Sequence, residues 1–194
     1  MPSILGDWLL LSGYLVIASF FIIQLKLRQT KAARSFNGGE YDRGNTTLIG
    51  AVTGLGLCLP LVADFLGFAA FNINLAEGLF ALAVMALGVG LRVWAAVVLG
   101  KFYTTTLMTT EGQTIVTSGP YALVRHPGYL GEILLWAGFA VLSSNTALLV
   151  IIPLMFLAAY LYRIATEEGM LVKELGESYV QYRKRTYKLV PFLY

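Results

Sequence analysis

Long apolar runs separated by short polar links dominate this chain. They cover residues 8–25, 47–65, 75–99, 129–142 and 146–162. A helix needs roughly 20 mostly apolar residues to cross a bilayer, so the pattern predicts five membrane-spanning helices. The fourth run is short, which predicts a helix that starts in the headgroup region or tilts little. Residues 143–145 form the whole link to the fifth run and predict a tight helical hairpin. No stretch alternates apolar and polar positions, which argues against a β-barrel. Past the fifth run, Leu171, Leu175, Tyr179 and Tyr182 recur at helical spacing, while Lys173, Glu174, Glu177, Gln181 and Lys184 fall off that stripe. Residues 166–185 are therefore expected to form an amphipathic helix on the membrane surface or on the connecting loops. Pro191 and Phe192 follow it.

Composition and charge turn this pattern into an orientation. Of 194 residues, 57% are hydrophobic and 13% charged, about half the charge of an ordinary soluble domain. Basic residues gather in alternate links: Lys26, Arg28, Lys31, Arg34 and Arg43 in the first, Lys101 and Arg125 in the third, then Arg163, Lys173, Arg183, Lys184, Arg185 and Lys188 after the fifth run. Segments 1–7, 66–74 and 143–145 hold no Lys or Arg. The basic side is thus expected to be cytoplasmic, with the N-terminus outside and the C-terminus inside the cell membrane. Five spans independently put the termini on opposite sides. The predicted fold class is all-α: a polytopic membrane protein with five transmembrane helices, cytoplasmic connecting loops and a C-terminal amphipathic helix. It is read as one integral membrane domain, 1–194, with a three-helix part at 1–99 and a second part at 100–194. The first apolar run has no basic stretch before it and is read as a mature helix.

Some functions are narrowed at once. One cysteine, Cys58, and one histidine, His126, leave no multi-cysteine or multi-histidine metal site. No metal and no nucleic acid is expected, and the chain is expected to be a monomer. The net charge of +3 follows the membrane asymmetry. Gly88 and Gly90 lie within an apolar run with no strand before them, so neither a Rossmann fingerprint nor a P-loop is present. Gly50–Gly54 and Ala86–Gly90 carry small-xxx-small spacing, expected to serve helix packing. Arg92 lies inside the third run and is expected to reach toward the cytoplasmic interface. Pro153 is expected to bend the fifth helix.

Four polar elements remain for chemistry: KFYTTTLMTTEGQTIV at 101–116, TSGPYALVRHPGYLG at 117–131, RIATEE at 163–168, and the tail from Gly176. Proline suits a first helical turn, so Pro127 should open helix four. Arg125 and His126 could be plain interfacial residues, but the density of Gly and Pro around them indicates a special backbone shape. Arg163 and Glu167, four apart, share a helix face. They could be a surface ion pair or could meet a substrate.

Together these elements resemble the isoprenylcysteine carboxyl methyltransferase family, over roughly the C-terminal half. The carriers are 117–131, RIATEE, and LGESYVQYRKRTYKLVPF at 175–192. RHPGYLG alone also resembles phospholipid methyltransferases and sterol reductases; the later elements favour the first family, in a compact prokaryotic-type form. The resemblance implies S-adenosylmethionine as methyl donor, leaving S-adenosylhomocysteine. It implies the carboxylate of an isoprenylated cysteine, or a similar lipidic acceptor, reaching a cytoplasmic-face site from the bilayer among membrane lipids. It places Thr106, Gln113, Thr114, Ile115, Val116, Tyr121, His126, Pro127, Gly128, Tyr129 and Glu167 at the cofactor, and Arg163 and Glu168 at the reacting end. Arg163 is suited to grip a carboxylate with two donors, and Glu168 to orient Arg163 or to meet the cofactor's charged portion. The alternatives are a phospholipid or amine N-methyltransferase, an NADPH-dependent membrane reductase, and a non-enzymatic membrane scaffold or small transporter.

Overall fold

A computed structural model describes residues 4–27, 41–104, 106–107 and 114–192. Its helices are α1 (Ile4–Leu27), α2 (Asn45–Leu66), α3 (Leu75–Leu99), α4 (Pro127–Leu142), α5 (Leu148–Leu175) and α6 (Glu177–Arg185), with short 3-10 turns at Gly100–Phe102 and Gly119–Ala122. Among the described residues there are isolated bridges but no strand. Helices α1, α2, α3 and α5 are long and apolar enough to cross a membrane. Helix α4 has 16 residues, about 24 Å at 1.5 Å per residue, and is the shorter apolar helix of the five. Large side chains such as Phe65, Phe80, Trp94 and Leu87 are exposed on the outer surface, as lipid contact requires.

Local chemistry sets the helix ends. Asp42 caps α2, accepting from Thr46 N at 3.2 Å and Thr46 Oγ1 at 2.7 Å. Asn74 and Glu77 form a reciprocal capping box at α3. Pro127 occupies the first position of α4, where its missing N–H costs nothing. Asn145 Oδ1 accepts from Ala147 N and Leu148 N, both at 3.0 Å, and so caps α5. The same link is tied to the α2–α3 loop by Phe71 N donating to Ser144 O at 2.8 Å and Thr146 N to Ala69 O at 3.0 Å.

Two expectations need correction. Helix α5 does not stop near residue 162. Nothing in YLYRIATEE breaks a helix, and α5 runs on to Leu175 until Gly176, at φ 58°, turns the chain. The expected amphipathic helix at 166–185 is therefore the end of α5 plus α6. Its stripe of Leu171, Leu175, Tyr179 and Tyr182 lines a cavity that the connecting loops also wall, the second of the two placements expected for it. The close helix contacts also lie elsewhere. A Cβ on Gly50, Gly54 or Gly90 would meet nothing within 4 Å. On Gly131 it would lie 2.6 Å from Gly88 O and 2.9 Å from Arg92 N; on Gly138, 2.7 Å from Ala81 O. Helices α3 and α4 thus touch backbone to backbone along Ala81, Met85, Gly88 and Arg92. Beside this seam, Trp136 of α4 stacks on Phe156 of α5 at 4.2 Å, and both are fully buried.

Candidate active site

Helix α4 runs inward from His126, and α5 runs outward toward Glu168. Their polar residues therefore meet in layers at the basic end of the bundle. In the outer layer, Arg125 Nε donates to Glu168 Oε1 at 2.8 Å. His126 Nε2 lies 3.3 Å from the same oxygen, and Arg183 Nε is 3.5 Å from Oε2. The tail is pinned onto this layer. Arg125 N donates to Tyr187 O at 2.8 Å, Tyr187 N to Leu123 O at 2.9 Å, and Tyr182 OH to Tyr121 O at 2.7 Å. In the middle layer, Arg163 Nε donates to Tyr129 OH at 2.9 Å, and Tyr129 OH donates to Glu167 Oε2 at 2.6 Å. In the inner layer, Arg92 Nε lies 3.1 Å from Glu132 Oε1, while Tyr160 OH donates to Glu132 Oε2. The rings of His126, Tyr129 and Tyr160 stack in that order, with centroids 5.5 and 4.9 Å apart. The aromatic ladder fixes the spacing between layers.

These layers wall a cavity of about 360 Å³, within the range of small-molecule sites. Thr106, Thr114, Ile115, Val116, Tyr121, His126, Gly128, Tyr129, Arg163 and Glu167 line it. Pro127 is buried at the start of α4 and aims that helix. Glu168 sits in the surrounding polar network, its carboxylate engaged by Arg125, His126 and Arg183. Gln113 lies outside the described residues. A Cβ on Gly128 would come within 2.6 Å of Arg92 Nη1, at the tip of that side chain. Burial holds the Tyr121 and Tyr179 phenols well above their ordinary range and pushes Tyr182 up to about 12. At neutral pH all three are protonated hydrogen-bonding groups, not bases.

Several wall residues escaped the sequence. Arg92 has protein partners: its guanidinium lies 5.2 Å from the Tyr103 ring and 5.8 Å from the Tyr129 ring, beside Glu132. Glu132, Tyr160 and Gln24 of α1 lie singly within apolar runs, and Thr46 of α2 stands at the edge of one. The available signal was a pair of opposite charges, Arg92 and Glu132, in different spans, because ionisable groups at membrane depth usually face protein and one another.

Residues 81–173 match the family model described as the isoprenylcysteine carboxyl methyltransferase family. The chain belongs to that family. It is accordingly an integral membrane protein, and the family segment holds every member of the middle and inner layers. The protein-S-isoprenylcysteine O-methyltransferase of Schizosaccharomyces pombe is 34% identical over 137 residues, which is 68% of this chain and 58% of the relative. The chain thus spans little more than half of that relative's length. The Delta(14)-sterol reductase of Mus musculus is 29% identical over 91 residues, 46% of this chain and 22% of that protein. A solved eukaryotic intramembrane Ras methyltransferase of the same family superposes with a TM-score of 0.60 at 22% identity. It covers 94% of this chain and 62% of its own, a likeness of fold.

Proposed function

We propose that this membrane protein is an S-adenosylmethionine-dependent carboxyl O-methyltransferase acting on an isoprenylcysteine-like lipidic carboxylate at the cytoplasmic face. The observation that carries this is one cavity, at the basic end of a family fold, whose wall holds the Arg163–Tyr129–Glu167 chain. The wall also suits the cofactor. Glu167 offers negative charge, Tyr121 offers a ring face for a cation, and Gly128 leaves room at the motif. Thr106 Oγ1 is buried with no hydrogen-bond partner among the described residues. Thr114, Ile115, Val116, Tyr121, His126, Gly128, Tyr129 and Glu167 would hold the cofactor with it, and Pro127 would fix the turn they share. When bound, S-adenosylmethionine supplies an electrophilic methyl group on a sulfonium.

The chain's own residues do the remaining work. A carboxylate with a pKa near 3.5 is ionised at neutral pH, so Arg163 meets an oxygen nucleophile that has no proton to lose. No general base is needed, in keeping with a wall of protonated phenols. Arg163 grips and aims the carboxylate; Tyr129 fixes Arg163 through its Nε and passes that order to Glu167. Positioning of this kind can lower the barrier by roughly 7–11 kcal/mol. The grip must be moderate, because the acceptor's charge is lost on transfer and ground-state binding alone does not accelerate it. Glu168 acts at one remove, locking His126, Arg125 and the tail. The acceptor's chain would lie toward the bilayer and the cofactor would enter from the cytoplasm.

Arg163→Ala tests the assignment. Methyl transfer to a prenylcysteine analogue should fall roughly a hundredfold, the scale of a misplaced reactant, while S-adenosylhomocysteine still binds and stabilises the protein. Equal loss of transfer and of cofactor binding would remove Arg163 from the acceptor's side of the site.

A further inference from the structure

Apart from Thr106, one wall of the cavity has no task in the reaction. That wall comes from α1, α2 and the loop after α3, and its α1 and α2 parts lie outside residues 81–173 that match the family. It includes Phe20, Gln24, Ile49, Tyr103 and Thr106. Gln24 is the one amide side chain in the 24-residue helix α1, and it is 3% exposed. Its Oε1 accepts from Tyr103 OH, but its Nε2 has no partner among the described residues. Thr106 is 1% exposed, and its Oγ1 is likewise without one. Tyr103, which bonds Gln24, stands three residues before Thr106 in the same loop, and both Gln24 and Thr106 line the cavity. Leu107 N, donating to Asp42 Oδ1 at 3.5 Å, ties that loop to the start of α2.

A buried polar group without a hydrogen bond is costly, and such groups are seldom left so. Two of them on one cavity wall mean that the occupant of the cavity satisfies them. An apolar chain would strand both. Neither residue carries charge, so the matching group binds through hydrogen bonds rather than ion pairing.

We propose that Gln24 and Thr106 form a neutral hydrogen-bonding subsite that receives a planar, uncharged group presenting an acceptor atom, such as an amide or a purine edge. This rests on the methyltransferase reading of the cavity. That reading offers two sources of this chemistry: the adenine of the cofactor and the amide of a lipid-modified cysteine. Tyr103 positions Gln24 by taking up its oxygen, so that the amide nitrogen is left for the ligand.

The test uses the full-length protein with Gln24→Leu and Tyr103→Phe together. The pair removes both members of one hydrogen bond and keeps their volumes and the ring beneath Arg92, a change that is nearly neutral for folding. Unfolding temperature, S-adenosylhomocysteine affinity and the KM of two acceptors are measured. The acceptors are an N-acetyl S-prenylcysteine and an S-prenyl thiopropionate, which lacks the amide. We expect the unfolding temperature of the ligand-free double variant to stay at the wild-type value or above it. Binding should weaken about tenfold, the worth of one well-made hydrogen bond to a ligand. If adenine is the source, the loss appears in S-adenosylhomocysteine affinity. If the amide is the source, it appears in the KM of the N-acetyl acceptor alone. Ligand constants within twofold of wild type would overturn the subsite, as would a parallel loss of everything with a lower unfolding temperature. A wild-type protein that neither binds S-adenosylhomocysteine nor transfers methyl would instead end the functional reading, which separates the two failures.

Discussion

Replacing Gly131 by alanine adds one methyl group where α3 and α4 meet backbone to backbone. The new Cβ would stand 2.6 Å from Gly88 O and 2.9 Å from Arg92 N, whereas ordinary contact begins at 3.4 Å. Neither neighbour can rotate away, so the helices have to part by about 0.8 Å, taking Arg92 with them. Overpacking of this kind costs about 1–3 kcal/mol, and a clash against backbone belongs at the upper end. For a domain of this size, roughly 3 kcal/mol lowers the unfolding temperature by about 6–12 °C. The internal control is Gly54→Ala, at the GxxxG that the sequence offers as a packing motif. There the methyl meets nothing within 4 Å, and helix propensity alone should make it neutral or stabilising by up to about 1 kcal/mol. Both variants are compared by thermal unfolding in detergent. Equal shifts for the two, or a larger loss at Gly54, would refute the assignment of the α3–α4 seam.

Two further outcomes follow from the charged and phenolic walls. Glu132→Gln leaves the Arg92 guanidinium buried without its counter-ion and should cost about 3 kcal/mol, the lower end for a broken buried pair; the double variant Arg92→Gln/Glu132→Gln should recover most of it, and additive losses in the double-mutant cycle would show that the pair is uncoupled. Tyr182, raised by burial to about 12, stays protonated in the fold after the unfolded phenol, near 10, has ionised; its contribution is complete below about pH 10 and is lost as pH rises toward 12. The fall in unfolding temperature over that window should be shallower in Tyr182→Phe, and an unchanged slope would count against a buried phenol at the α6–motif contact.

The spans were legible because apolar length reports directly on bilayer thickness, and the RHPGYLG turn because Pro127 can open a helix but not continue one. What escaped depended on partners distant in sequence. The small-residue spacing at Gly50 and Gly54 shows that close approach is possible, not that another helix is there; Gly88, Gly131 and Gly138 have the neighbours. The end of α5 was misplaced because hydropathy falls after Tyr162 while the backbone meets no breaker before Gly176. That difference matters for the site, since the same rigid helix carries Tyr160, Arg163, Glu167 and Glu168. Arg92 could be seen as a charge inside a span, but the partners beside it, Glu132 and Tyr160, lie in other helices, the nearer of them 40 residues further along the chain. Gln24, a single amide in an apolar helix, gave no pattern at all until Tyr103 was placed against it.

The central claim is methyl transfer to a lipidic carboxylate, and labelled S-adenosylmethionine tests it most directly. The purified wild-type protein is offered an S-prenylcysteine analogue with a free carboxylate, the same compound already esterified, and a lipid amine. Label should pass to the free carboxylate and be released as methanol by mild base, with none on the ester. Label appearing on the amine instead, or no transfer at all by a protein that NADPH stabilises and S-adenosylhomocysteine does not, would contradict the account.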